Sequence, residues 1–207
     1  MAQTMTPSAM TDDQIERAVE IFRAKLRKHK AELPSDAVQQ VFGQSELGHE
    51  WLEVLRKRVE AISSMIVRRV KVDRSRTPQA MLDATGRKQY TDRNVVKNMP
   101  QGEGEEVDMA FFKLDLSASD GYISDDDLAK EFALRGLTPD PQAQGQVNID
   151  DPAFADEHPN GTHWKDKDGN YCFVAFDRWY GERDVLVSRD DDRWSDYWWF
   201  GGRKSRT

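Results

Sequence analysis

Residues 162–200 read THWKDKDGNYCFVAFDRWYGERDVLVSRDDDRWSDYWWF, and this stretch decides the fold of the C-terminal half. Apolar and aromatic residues recur in short runs broken by turn signals, which is the pattern of strands rather than helices. Asp168-Gly169 is a favoured pair for a tight hairpin turn. Gly181-Glu182 and Asp190-Asp191-Asp192 mark further turns. The stretch reads as a three- or four-stranded antiparallel meander. Five of the six tryptophans lie in it: Trp164, Trp179, Trp194, Trp198 and Trp199. Such aromatics fill the core of a small β domain, or they stay exposed and form a contact face. Trp179, Trp194, Trp198 and Trp199 are the candidates for that face. Trp198-Trp199-Phe200 alternates sides in a strand, so something besides a one-sided sheet must cover one of them.

Upstream, the proline- and glycine-bearing residues 138–162 read as a long irregular connection. Ser124-Asp125-Asp126-Asp127 opens a helix over about 125–135, with three acids where the helix dipole favours them. Residues 107–114 read as a strand. Residues 86–106 are polar, contain Pro100 and Gly102-Glu103-Gly104, and predict a linker. Thr77 caps a short helix at 78–84, with Pro78 at its preferred first position.

The N-terminal region is different. Thr11-Asp12-Asp13-Gln14 forms a capping box. Ile15, Ala18, Val19, Phe22 and Leu26 then follow at helical spacing, and Pro34 ends the run. Ser35 and Asp36 start a second short helix that stops at Gly43. A third helix runs from Ser45 to about Lys71, with Leu47, Trp51, Leu55, Val59, Ile62, Ile66 and Val70 as its apolar stripe. Residues 1–10 read as a disordered tail. The expected organisation is therefore a helical region over 11–85, a linker over 86–106 and an acidic, aromatic-rich α+β domain over 107–207. The fold class is α+β: N-terminal amphipathic helices, then a small antiparallel β-meander with one packed helix.

Charge divides the chain the same way. Residues 1–100 carry 18 Lys and Arg against 13 Asp and Glu, and the remainder carries 12 against 24. Such asymmetry points to an interaction surface, or to attraction between the halves. No apolar run reaches the roughly 18 residues of a membrane span. The start lacks the pattern of a secretory signal. The single cysteine, Cys172, fits a reducing, cytoplasmic setting and excludes an internal disulfide framework.

Three function classes have residues behind them. Arg56, Lys57 and Arg58, with Arg68, Arg69, Lys71, Arg74 and Arg76, cluster cations as phosphate contacts require. Asp115, Ser117, Ser119, Asp120, Asp126 and Asp127 resemble a degenerate calcium loop. Counting from Asp115 puts Asp120 where the loop needs glycine, so the ligand spacing is broken. His158 and His163 flank Pro159-Asn160-Gly161 among acids, and read as turn histidines more readily than as metal ligands. No phosphate loop, dinucleotide fingerprint or nucleophile elbow is present, and no cofactor is expected. The leading expectation is a non-enzymatic protein-binding or assembly module, joining a partner or a second copy through its helices.

Three blocks carry a resemblance: Arg76-Thr77-Pro78 with Ala84-Thr85-Gly86-Arg87, the segment His158–Trp164, and Trp198-Trp199-Phe200-Gly201-Gly202. Together they are similar to a family of hypothetical proteins from small-genome bacteria and their phages. The resemblance spans the last two-thirds of the chain and implies no activity, cofactor or site, since fold alone does not carry function.

Overall fold

The computed structural model describes residues 10–63, 65–117, 120–189 and 193–204, with backbone alone at 57 and 60–63. The expected tail over 1–10 and the Asp190-Asp191-Asp192 turn lie almost wholly outside them. The chain divides into a helical unit that ends at Ile62 and a larger unit that begins at Ser63.

In the helical unit, α1 spans Asp12–His29. The Thr11 hydroxyl accepts from the Gln14 backbone N–H, and the Gln14 side chain accepts from the Thr11 N–H, closing the capping box. A 3-10 turn at Lys30–Glu32 leads to α2, Ser35–Phe42. The N-cap of α2 is Pro34, without a side-chain cap, so Ser35 and Asp36 lie inside the helix. The third helix, α3, spans Leu47–Ser63.

The long helix expected to reach Lys71 stops there. Met65–Lys71 is instead a strand, β1, whose Ile66 and Val70 are buried. Branched residues at alternate positions suit a pleated surface better than a helix, and a distant partner, β3, decides between them. The boundary between units consequently falls at 62/63 rather than in 86–106. Residues 78–84 form α4, 88–91 form β2 and 93–97 form α5, all within the larger unit.

The remaining elements are β3 (Glu106–Lys113), β4 (Tyr122–Ile123), α6 (Asp125–Leu134), β5 (Leu137–Thr138), α7 (Pro141–Asp150), α8 (Phe154–Glu157), β6 (Asn160–Lys165), β7 (Tyr171–Trp179), β8 (Glu182–Ser188), β9 (Trp194–Ser195) and β10 (Trp199–Lys204). The class is α+β, as expected, but the meander β6-β7-β8 is only the middle of a larger mixed sheet. Its order is β1-β3-β10-β6-β7-β8-β2, with β5 also on β10. The pairs β10–β6 and β2–β8 are parallel. A separate ribbon pairs β4 with β9.

Both faces of the sheet are covered. Met81, Leu82, Val95 and Val96 of α4 and α5 pack on Val174, Phe176, Val185 and Val187. Ala143 and Val147 of α7, with Phe154 of α8, pack on Ile66, Met109 and Phe111. On the opposite face, Leu128 and Phe132 of α6 pack with Trp194 on Phe112, Phe173 and Phe200. The one-residue alternation of Phe111 and Phe112 thus feeds two different cores. Each such ring, fully buried, contributes about 1.5–3 kcal/mol. Cys172 lies buried in the first of these cores, and burial pushes its thiol up. Among the described residues, no helix is long and apolar enough to cross a membrane.

Candidate functional site

The helical unit presents apolar side chains that nothing in the described structure buries. Among residues 10–59 with described side chains, none is buried. Ile15, Val19, Phe22 and Leu26 recur at steps of four, three and four, so they form one stripe along α1. Phe22 stacks on Trp51 of α3, with ring centroids 4.9 Å apart and an interplanar angle of 17°. Between the two helices runs a groove of about 560 Å³, lined by Ile15, Val19, Phe22, Leu26, Trp51 and Leu55 and edged by Arg23 and Arg27. Phe22 remains 43% exposed and Val54 57%. Apolar area left in water forfeits about 25 cal/mol per Å², which an entering apolar helix face recovers.

The basic residues expected to contact nucleic acid fall in both units, Arg56, Lys57 and Arg58 in the helical one and Arg68, Arg69, Lys71, Arg74 and Arg76 in the larger one. Arg56 pairs with Glu53. Arg58 is exposed, and the side chain of Lys57 lies outside the described residues. Arg68 and Arg69 alternate sides of β1. Arg68 lies 5.2 Å from the Phe154 ring, and Arg69 pairs with Asp108 at 3.0 Å. Lys71 stands opposite Glu106 in the ladder. Arg74 is structural: it donates to both carboxylate oxygens of the fully buried Asp140, at 2.9 and 2.7 Å. It also donates to the carbonyls of Gln101, Glu103 and Gly104. Arg76 pairs with Asp73 at 3.9 Å.

The four tryptophans do not share a face. Trp179 is exposed, whereas Trp194 is core, and its indole N–H donates to Asp125 at 2.9 Å. Trp198 packs against the core beneath α6, while Trp199 lies on the other side of the sheet, against His158. The acids of the expected calcium loop are likewise engaged. Asp115 accepts from the Ser117 backbone at 3.0 Å, and Asp120 pairs with Arg193 at 3.2 Å. Asp126 accepts from the Tyr171 hydroxyl at 2.9 Å, and this bond, reinforced by Lys165, holds its carboxyl below the usual range. Asp127 is held down by Lys130 and Ser124, the latter being the N-cap of α6. Ser119 lies outside the described residues. Among those described, no group of three or more metal-ligating side chains forms.

His163, expected as a solvated turn residue, is buried on β6. Its Nδ1 meets Asp125 at 2.8 Å, and its ring stacks between Phe132 and Tyr171. Asp125 thereby ties α6 to the main sheet through His163 and to the β4–β9 ribbon through Trp194.

Two features escaped sequence reasoning. Asp177 and Asp184 are cross-strand partners in the β7–β8 ladder, and both are buried. Burial, then the charge of Asp184, pushes the Asp177 carboxyl up against an opposing pull from Arg87. The signal was positional: Asp177 continues the inward series Phe173 and Ala175, where an acid is out of place. The second feature is a cleft of about 720 Å³ beside β2, lined by Thr77, Gln79, Gln89, Thr91, Arg93 and Lys97 among others. Comparison of the chain with protein-family models, curated proteins and solved structures finds no match in any of the three.

Proposed function

We propose that this protein is a non-enzymatic assembly module that associates through its helical unit. One observation carries the reading: α1, α2 and α3 expose an apolar stripe and a groove, with no buried residue among those whose side chains are described. Unpartnered patches of this kind mark interaction sites. Arg74 is committed to the buried Asp140, Arg56, Arg69 and Arg76 each pair with an acid, and the calcium-loop acids serve in caps and surface pairs, which supports neither alternative class. The buried sole cysteine fits a reducing, cytoplasmic setting.

Sedimentation equilibrium of the full chain tests this. The expected result is an oligomer, or a stable complex with a copurifying protein, that Val19→Asp or Phe22→Asp dissolves while the larger unit keeps its melting transition. A monomer at every concentration with no copurifying partner overturns the reading.

A further inference from the structure

Charge along α1 is segregated, and the segregation has a symmetry. Asp12, Asp13, Glu16 and Glu20 fall in its first half, where the one cation, Arg17, pairs with Glu20 at 3.2 Å on the exposed surface, while Arg23, Lys25, Arg27 and Lys28 fall in its second. The apolar stripe occupies positions 15, 19, 22 and 26. Glu16, Glu20, Arg23 and Arg27 repeat that spacing one residue later, so they form a charged stripe directly alongside it. Both stripes are centred near Ile21, to within about one residue or 1.5 Å of helix rise. The acids and the arginines are thus exchanged by reversing the helix about its own middle.

We infer that the occupant of the groove is α1 of a second copy of this chain, laid antiparallel across a two-fold axis near Ile21. The inference rests on the assembly reading and specifies its partner. A two-fold interface must be self-complementary, because each residue meets the image of its counterpart. Reversed about Ile21, Ile15 of one copy meets Leu26 of the other, and Val19 meets Phe22. The same operation sets Glu16 and Glu20 beside Arg23 and Arg27 of the second copy. Arg23 and Arg27 already edge the groove, so they are placed to receive those acids. In a parallel pair the two-fold axis runs along the helices, so the charged stripes of the two copies fall on opposite sides of the seam and neither Glu16 nor Glu20 meets Arg23 or Arg27. The antiparallel arrangement brings the two stripes to the same side, where opposite charges favour association. Two α1–α3 pairs joined in this way form a four-helix arrangement with the apolar stripes inside.

The test is a charge exchange on the full chain, read by sedimentation equilibrium with helix content checked by circular dichroism. The pair Glu16→Lys with Glu20→Lys, and separately the pair Arg23→Glu with Arg27→Glu, are each expected to weaken the dimer about tenfold or more. All four substitutions together restore complementarity, and dimerisation is expected to recover to within about threefold of the parent. A dimer that Val19→Asp dissolves, but that is indifferent to either charge pair, overturns the antiparallel geometry and leaves the assembly reading standing. The same holds if the four-fold variant is weaker than both pairs. A chain that never dimerises but copurifies with another protein overturns this inference alone, and one that does neither overturns both.

Discussion

Asp177 and Asp184 face each other across the β7–β8 ladder, and each keeps one buried carboxylate oxygen without a hydrogen-bond donor. Placing two acids together out of water is costly, and the cost depends on pH. The Asp177 carboxyl is raised by burial and by Asp184. A group raised in the folded state favours folding while protonated, and that contribution disappears as pH climbs through the raised value. Asp177→Asn is therefore expected to stabilise the protein by about 1 kcal/mol near pH 7, with the gain shrinking in acid below the ordinary carboxylate range. Denaturant unfolding at the two pH values measures it. Equal destabilisation at both would contradict the account.

Asp125 makes the opposite case. Its Oδ1 accepts from Trp194 Nε1 at 2.9 Å and meets His163 Nδ1 at 2.8 Å, and both partners are buried. Asp125→Ala strands the two nitrogens, at an expected cost of about 2–3 kcal/mol in urea unfolding. Asp126→Ala, one residue on and exposed, is expected to change stability little.

Gly201 and Gly202 leave room on opposite sides of β10. A Cβ at Gly201 would come within 2.7 Å of Gln144 Oε1 and of the Phe111 ring, and one at Gly202 within 2.9 Å of Leu137 and Phe132. Either alanine substitution is expected to cost about 1–3 kcal/mol through overpacking. Gly201→Ala should disturb the α7 side and Gly202→Ala the α6 side, which amide hydrogen exchange distinguishes.

Arg74 and Arg69 are both cations of the same basic segment, yet they should behave differently. Arg74→Ala leaves the buried Asp140 carboxylate without its bidentate partner, and about 3–5 kcal/mol of stability is expected to go with it. Arg69 and Asp108 are exposed, so Arg69→Ala should leave the melting temperature nearly unchanged. Thermal melts of the two variants decide between a structural and a surface role for the segment.

How far the sequence was readable follows from where each signal was local. The Thr11 capping box, the Thr77-Pro78 start of α4 and the Ser124 cap of α6 are short-range chemistry, and all three occur where the residues predict them. The β6-β7-β8 meander follows from turn residues and alternation. β1 was hidden because Met65–Lys71 extends the apolar spacing of α3, and only pairing with β3, some forty residues on, makes it a strand. α7 was hidden for the opposite reason. Its buried residues include Gln142, Gln144, Gly145 and Asn148, so no apolar period announces it. Their burial is compensated by bonds such as Gln144 to Asn160 at 2.8 Å, which no periodicity reveals. Of the candidate sites, the α1 stripe was legible from spacing alone. The buried acid pair was not, because 37 acids in the chain conceal two.

The position of Cys172 gives the molecule an internal clock. It is the sole thiol, it lies in the core between β7 and α5, and α1, α2 and α3 contain none. A thiol reagent can reach it only when the sheet opens. The labelling rate of the native protein is therefore a direct reading of how often that unit breathes.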